Sequence, residues 1–259
     1  MHRNVLLTVI GLLYYALSTY ALYNFEAGIL LTSLVLFGLP AYILARYSAA
    51  PSAVLISVAT FGTGIAVLLE GIAHIYGIWY TLGVDELRLF GLVPVEVIFS
   101  SILQTLFLVL LYELIFDDGT YTTSKPSVRY ISFGIFCLSV LALLGLHQYV
   151  LKGIFFTHSY IWILGILVAS TLAALAVTRS FTLRFFDRLA LFTLVAFLPL
   201  CAALFLAIAN THKVFAYAND YIYSFTFLGN LVPLEEIVLM LAIPFFVVTF
   251  YEIYLDDAR

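Results

Sequence analysis

The chain has 259 residues, of which 64% are hydrophobic and only 10% are charged. A soluble domain carries about 25% charged residues, and a mean hydropathy of +1.12 excludes a water-soluble globular protein of this length. The net charge of -4 also excludes a nucleic-acid binder, which needs a basic face.

A membrane-spanning helix takes about 20 residues, so the chain holds about eight spans with little left for a soluble domain. In chain order the apolar stretches are 4–23, 27–45, 51–76, 94–116, 130–150, 159–178, 189–209 and 233–255. The expected fold is all-α, a polytopic bundle. The first stretch has the length of a span and lacks a small-residue cleavage site, so it reads as a span and not as a signal peptide. With eight spans, both termini lie on one side. Arg3, Arg46, Lys125, Arg129, Arg179, Arg184, Arg188 and Arg259 fall on that side, against Arg88, Lys152 and Lys213 on the other. The positive-inside rule then places both termini in the cytoplasm and the chain in the cell membrane. Cys137 and Cys201 lie in apolar stretches and form neither a metal pattern nor an evident pair.

Most connections are short. The two longer ones, 77–93 and 210–232, are expected on the outer side and are rich in aromatics, including Trp79, Tyr80, Tyr217 and Tyr221. Such rings form an interfacial belt in many membrane proteins. Trp79 and Tyr80 are also candidates for the wall of a binding site.

An internal repeat organises the chain. Leu92-Val93-Pro94-Val95-Glu96 returns as Leu231-Val232-Pro233-Leu234-Glu235, Tyr112-Glu113 as Tyr251-Glu252, and Asp117-Asp118 as Asp256-Asp257, all at an offset of 139. This divides the chain into 1–124 and 125–259, each with four spans. A four-span unit ends on the side where it began, so the halves have parallel orientation. They are unequal, because Val97 stands where the second half has Glu236.

The carboxylates are sorted by depth. All seven aspartates fall in loops or at span ends, whereas Glu70, Glu96, Glu113, Glu235, Glu236 and Glu252 fall inside spans that carry no Lys or Arg. An unpaired acid in hydrocarbon is costly and marks a functional site by default. Glu113 and Glu252 lie near span ends and read as structural. Pro94 and Pro233 are expected to open helices, where the missing N–H costs nothing. Glu96, Glu235 and Glu236 then sit in the first turn, where a carboxylate also suits the helix dipole. Adjacent Glu235 and Glu236 point about 100° apart. Glu70 and His74 share one helix face and reach the same depth, as do Asn210 and His212 in the second half. The expected acid–base groups are Glu235 and Glu236, assisted by Glu96 and Glu70. His74, Trp79, Tyr80, Asn210 and His212 are expected around the substrate.

At these residues the sequence resembles the membrane-integral lycopene (carotenoid) cyclases. In that family two homologous membrane units are either separate subunits or fused in one chain. The resemblance lies in Pro94-Val95-Glu96 and Pro233-Leu234-Glu235-Glu236 with the acid–tyrosine pattern behind each. It implies a non-redox, proton-initiated ring closure at a carotenoid end, with the motif acids taking part, no cofactor and no metal. The partner would be an apolar carotenoid drawn from the bilayer, among membrane lipids, and a homo-oligomer is compatible with it. The first motif continues with Val97 and the second with Ile237-Val238-Leu239, where the family often has a second Glu and phenylalanines. A related carotenoid hydratase or isomerase is therefore an alternative.

Other classes fit less well. No span carries the central lysine of a retinal protein. The histidines His2, His74, His147, His158 and His212 are too few and too scattered for a di-iron desaturase. Gly62-Thr63-Gly64 lies within a span and lacks the third glycine of a phosphate loop. The Asp pairs are too short for the Mg²⁺-diphosphate motifs of a prenyltransferase. A proton-coupled transporter, which also uses paired halves and buried acids, is the main rival. It needs a polar path through the membrane, whereas the glutamates form two layers with an apolar middle.

Overall fold

A computed structural model describes residues 2–48, 52–82, 87–89, 91–117, 183–209, 215–217, 221–227 and 229–255, together with part of 161–172. The expected span 130–150 lies outside the described residues, and 159–178 lies mostly outside them.

The described chain is mostly helical. Helix α1 is His2–Asn24 and α2 is Ile29–Ser33. A π-helical turn at Leu34–Gly38 joins α2 to α3, Leu39–Tyr47. Helix α4 is Ser52–Tyr76, α5 is Val95–Ile115, α6 is Leu183–Ala209, and α7 is Leu234–Phe250, continued by a π-helical turn at Tyr251–Leu255. Among the described residues five stretches are long and apolar enough to cross a membrane: Ile29–Tyr47, Leu55–His74, Val95–Ile115, Asp187–Ala209 and Leu234–Ile253. This is the make-up of a membrane protein. Large side chains such as Leu17, Ile56, Leu191 and Leu194 are more than half exposed, as lipid-facing residues are.

Two expectations need correction. The longer connections are not simple loops, so the fold is not purely α. Strand β1 (Trp79–Thr81) pairs antiparallel with β4 (Phe215–Tyr217), tying one connection to the other. Strands β2 (Arg88–Leu89) and β3 (Val93–Pro94) form one hairpin, and β5 (Ser224–Phe227) and β6 (Asn230–Pro233) form another. Gly91 and Gly229 supply the left-handed φ of +71° and +77° at the two hairpin turns, a conformation that costs glycine little. The helix α6 also begins earlier than 189, taking in Arg184 and Arg188.

The two Pro-x-Glu motifs adopt the same local structure. In each, proline ends a hairpin strand and is the extended N-cap of the helix, with φ/ψ of -62°/137° at Pro94 and -68°/142° at Pro233. The first helical residue is therefore Val95 or Leu234, one position later than expected. Its N–H donates back to the hairpin, Val95 to the Leu87 carbonyl at 3.1 Å and Leu234 to Tyr223 at 2.9 Å. Proline at the N-cap offers no side-chain acceptor to either helix.

Helix α4 packs along α5, α6 along α7, and α5 meets α7. A Cβ on Gly62 would lie 2.7 Å from Thr105 Oγ1 and 3.1 Å from the Ser101 carbonyl, so a glycine is what lets α4 and α5 approach this closely. The core includes the fully buried Phe37, Leu108, Tyr112 and Phe192. The rings of Phe61 and Phe250 stack at 4.0 Å, with Phe246 beside them.

Candidate functional site

A cavity of about 160 Å³ lies between α2, α4, α5, α6 and α7, just inside the end of the bundle that carries the hairpins. Helices α5 and α7 line it with positions that correspond under the repeat: Val97 with Glu236, Ser100 with Leu239, Ser101 with Met240, Gln104 with Ile243, and Leu108 with Val247. The same helix face is used twice, with opposite chemistry. From Ser100 to Thr105 the α5 wall is polar, whereas the α7 wall is apolar except for Glu236. Leu200, Ala203, Leu204 and Leu206 of α6 extend the apolar side.

Two acids line this cavity, Glu70 from α4 and Glu236 from α7. Both are buried, at 4% and 7% exposure. No lysine or arginine is among the described lining residues. Glu70 is held from the roof. The Trp79 indole N–H donates to its Oε2 at 2.8 Å, and the Thr81 hydroxyl donates to its Oε1. Arg88 stands behind this pair, donating to the Thr81 carbonyl and to the Leu92 carbonyl, both at 3.1 Å. The roof itself is the β1–β4 ladder, in which Trp79 is opposite Tyr217, and both of these rings line the cavity. Tyr221 fastens the ladder by donating to the Ile78 carbonyl at 2.7 Å.

Tyr217 is the neighbour of Glu236. Burial raises its phenol pKa well above the usual value, and the adjacent Glu236 carboxyl raises it further. The ring therefore stays protonated and presents an O–H next to the acid.

The expected site residues separate into two groups. Glu70, Trp79 and Glu236 come together. Glu235 is equally buried, but it faces the hairpin: its Oε1 accepts from the Ile222 N–H at 2.7 Å. Glu96, the repeat partner of Glu235, lies in a separate apolar groove with Leu30, Leu34, Leu87, Val95 and Phe99. His74 and Tyr80 meet edge to face at 5.9 Å outside the cavity wall. Asn210 and His212 lie outside the described residues. The angle between adjacent helix positions explains the split between Glu235 and Glu236, and the same angle turns Glu96 away while Val97 faces in.

Sequence reasoning missed the polar stripe on α5. Ser100, Ser101, Gln104 and Thr105 recur at helical spacing within an otherwise apolar span, so the middle of the bundle is not wholly apolar as expected. Below them the stripe ends at Leu108 and Val247, followed by the Phe61–Phe250 stack. At the opposite end of the bundle the Tyr251 hydroxyl donates to Glu113 Oε2, which joins α5 to the end of α7.

Fold and cavity together define a mostly helical protein with apolar helices of membrane-spanning length and a cavity lined by two acids. No family model, no curated protein and no solved structure matches the chain.

Proposed function

We propose that the chain is a carotenoid cyclase that closes an end ring by proton-initiated, non-redox chemistry. The observation that carries this reading is the pair Glu70 and Glu236 on one small, largely apolar cavity at membrane depth. A proton adds to the terminal double bond of a linear polyene end. The neighbouring double bond attacks the resulting cation, forming the ring, and a base removes a proton to leave a ring alkene. Atoms and electrons balance without an oxidant.

Glu236, beside the protonated Tyr217, is the proton donor on this reading. Glu70, whose two oxygens both accept hydrogen bonds, faces the developing cation and takes up the released proton. Trp79 and Tyr217 add electron-rich faces that stabilise a cation. Glu235 becomes a positioning residue that holds the segment before β5 through the Ile222 N–H. The volume supports the reading too. A dry protein cavity of about 150 Å³ admits benzene, so about 160 Å³ suits one six-membered ring, with the rest of the polyene left in lipid. On the same reading the molecule is an eight-span, two-repeat bundle in the cell membrane with cytoplasmic termini.

The apolar and aromatic layer below Leu108 and Val247 supports a closed pocket over the through-path that a proton-coupled transporter needs. The test is pigment analysis of lycopene-accumulating cells that express the chain. Wild type is expected to yield cyclised carotenoid. Glu236→Gln and Glu70→Gln should each lower the yield by at least about 100-fold, the usual scale for loss of a general acid or base. Unchanged lycopene with abundant, folded wild-type protein overturns the proposal.

A further inference from the structure

Cyclising a pure hydrocarbon end uses the acids and the apolar wall but leaves the α5 wall without a task. Not all of that wall is spare. Ser101 donates to the Gly62 carbonyl at 2.9 Å and Thr105 to the Ser101 carbonyl at 2.7 Å. These bonds belong to the close α4–α5 contact and to the helix. What remains is a chain of three groups. Ser33 and Ser100 share a hydrogen bond of 2.6 Å between their hydroxyl oxygens, and the Gln104 amide donates to Ser100 at 3.4 Å. All three residues line the cavity, and Ser33 and Ser100 are 2% and 5% exposed.

The hydrogen-bond count does not close. Two hydroxyls own two protons, and the bond between them uses one, whichever direction it runs. One O–H is therefore left to donate. The Gln104 amide likewise uses one N–H on Ser100 and retains its carbonyl as an acceptor. Among the described residues no partner takes up either group. Buried polar groups are costly when unmet, so a donor and an acceptor side by side on a cavity wall describe a binding place. The complementary ligand group both accepts and donates one hydrogen bond, which is the property of an alcohol oxygen.

We infer that the cavity binds an isoprenoid end bearing one hydroxyl group, its oxygen held between Gln104 and the Ser33–Ser100 pair and its hydrocarbon laid on the α6–α7 wall. This rests on the proposed isoprenoid reading and widens its substrate class to ends that carry a hydroxyl, beside the hydrocarbon end of lycopene. A water molecule satisfies the same two groups. The two sources differ in what they predict, because a retained water leaves the site indifferent to an alcohol on the ligand.

The experiment uses the full chain in lipid nanodiscs and compares two ten-carbon probes, the tertiary alcohol linalool and the hydrocarbon myrcene, by quenching of tryptophan fluorescence. Wild type should prefer the alcohol, and Gln104→Leu should reduce that preference by about 5- to 10-fold, the worth of one or two hydrogen bonds. Comparing wild type with variant in the same nanodiscs cancels the partition of each probe into lipid. Ser100→Ala should act in the same direction, while myrcene binding persists in both variants and reports an intact cavity. An alcohol-to-hydrocarbon ratio equal in wild type and Gln104→Leu overturns the inference, as the water-filled site would. The outcome is separable from the pigment assay. Ring formation from lycopene with no alcohol preference sinks this inference alone, and alcohol preference without ring formation sinks the cyclase reading alone.

Discussion

Glu235 and Glu236 are neighbours in the chain with different work to do, because successive helix positions diverge by about 100°. Glu236 reaches the cavity, and Glu235 takes a backbone N–H from the loop before β5. The sequence shows that two acids share a depth, but lateral convergence depends on the rotation of each helix. That rotation was legible only in part, and it explains why Glu70 and Glu236 line one cavity while Glu96 faces another groove. Trp79 reads as a belt residue by composition, yet its N–H is spent on Glu70. Tyr217 gives the residue-scale prediction. Its pKa is raised in the folded state, so its contribution to stability is fully present below pH 10, the ordinary phenol value. That contribution is lost as pH rises from there towards the raised value. In an ultraviolet titration, wild type minus Tyr217→Phe should show no phenolate signal near pH 10. An ordinary titration step in that difference would contradict the environment described for Tyr217.

At the scale of elements, the two Pro-x-Glu motifs were the most legible feature. The proline fixes an extended N-cap, and the preceding hairpin receives the first helical N–H, in both copies. The strands themselves were not legible, since β1 and β4 are three residues each and lie far apart in the chain. Their pairing depends on how the two connections meet above the helices. The contact of α4 with α5 was likewise hidden, although Gly62 within a span hints at close approach. Gly62→Ala brings a methyl group against Thr105 and the Ser101 carbonyl. It should destabilise the protein by about 1–3 kcal/mol, the usual range for overpacking, and lower the melting temperature in detergent. Adding Thr105→Ala, which removes the nearest atom, should recover part of the loss. A Gly62→Ala protein that melts like wild type would show that the helices are not held this tightly.

At the scale of the whole molecule, composition alone indicated a membrane protein, and five described helices have the length and apolarity for it. The different roles of α5 and α7 at the cavity emerge only in three dimensions. Repeat-related positions on α5 and α7 line one cavity, polar on one wall and apolar on the other. That asymmetry gives the cavity a polar side and an apolar side, with Glu70 and Glu236 both in its lining. The reading stands or falls on where the new hydrogen in the product originates. Purified protein in nanodiscs, given lycopene in D₂O buffer, should form a product of unchanged formula that carries one solvent deuterium per ring. Glu236→Gln should form none. No cyclised product from folded wild type, or a ring that contains no solvent deuterium, would contradict proton-initiated cyclisation at this cavity.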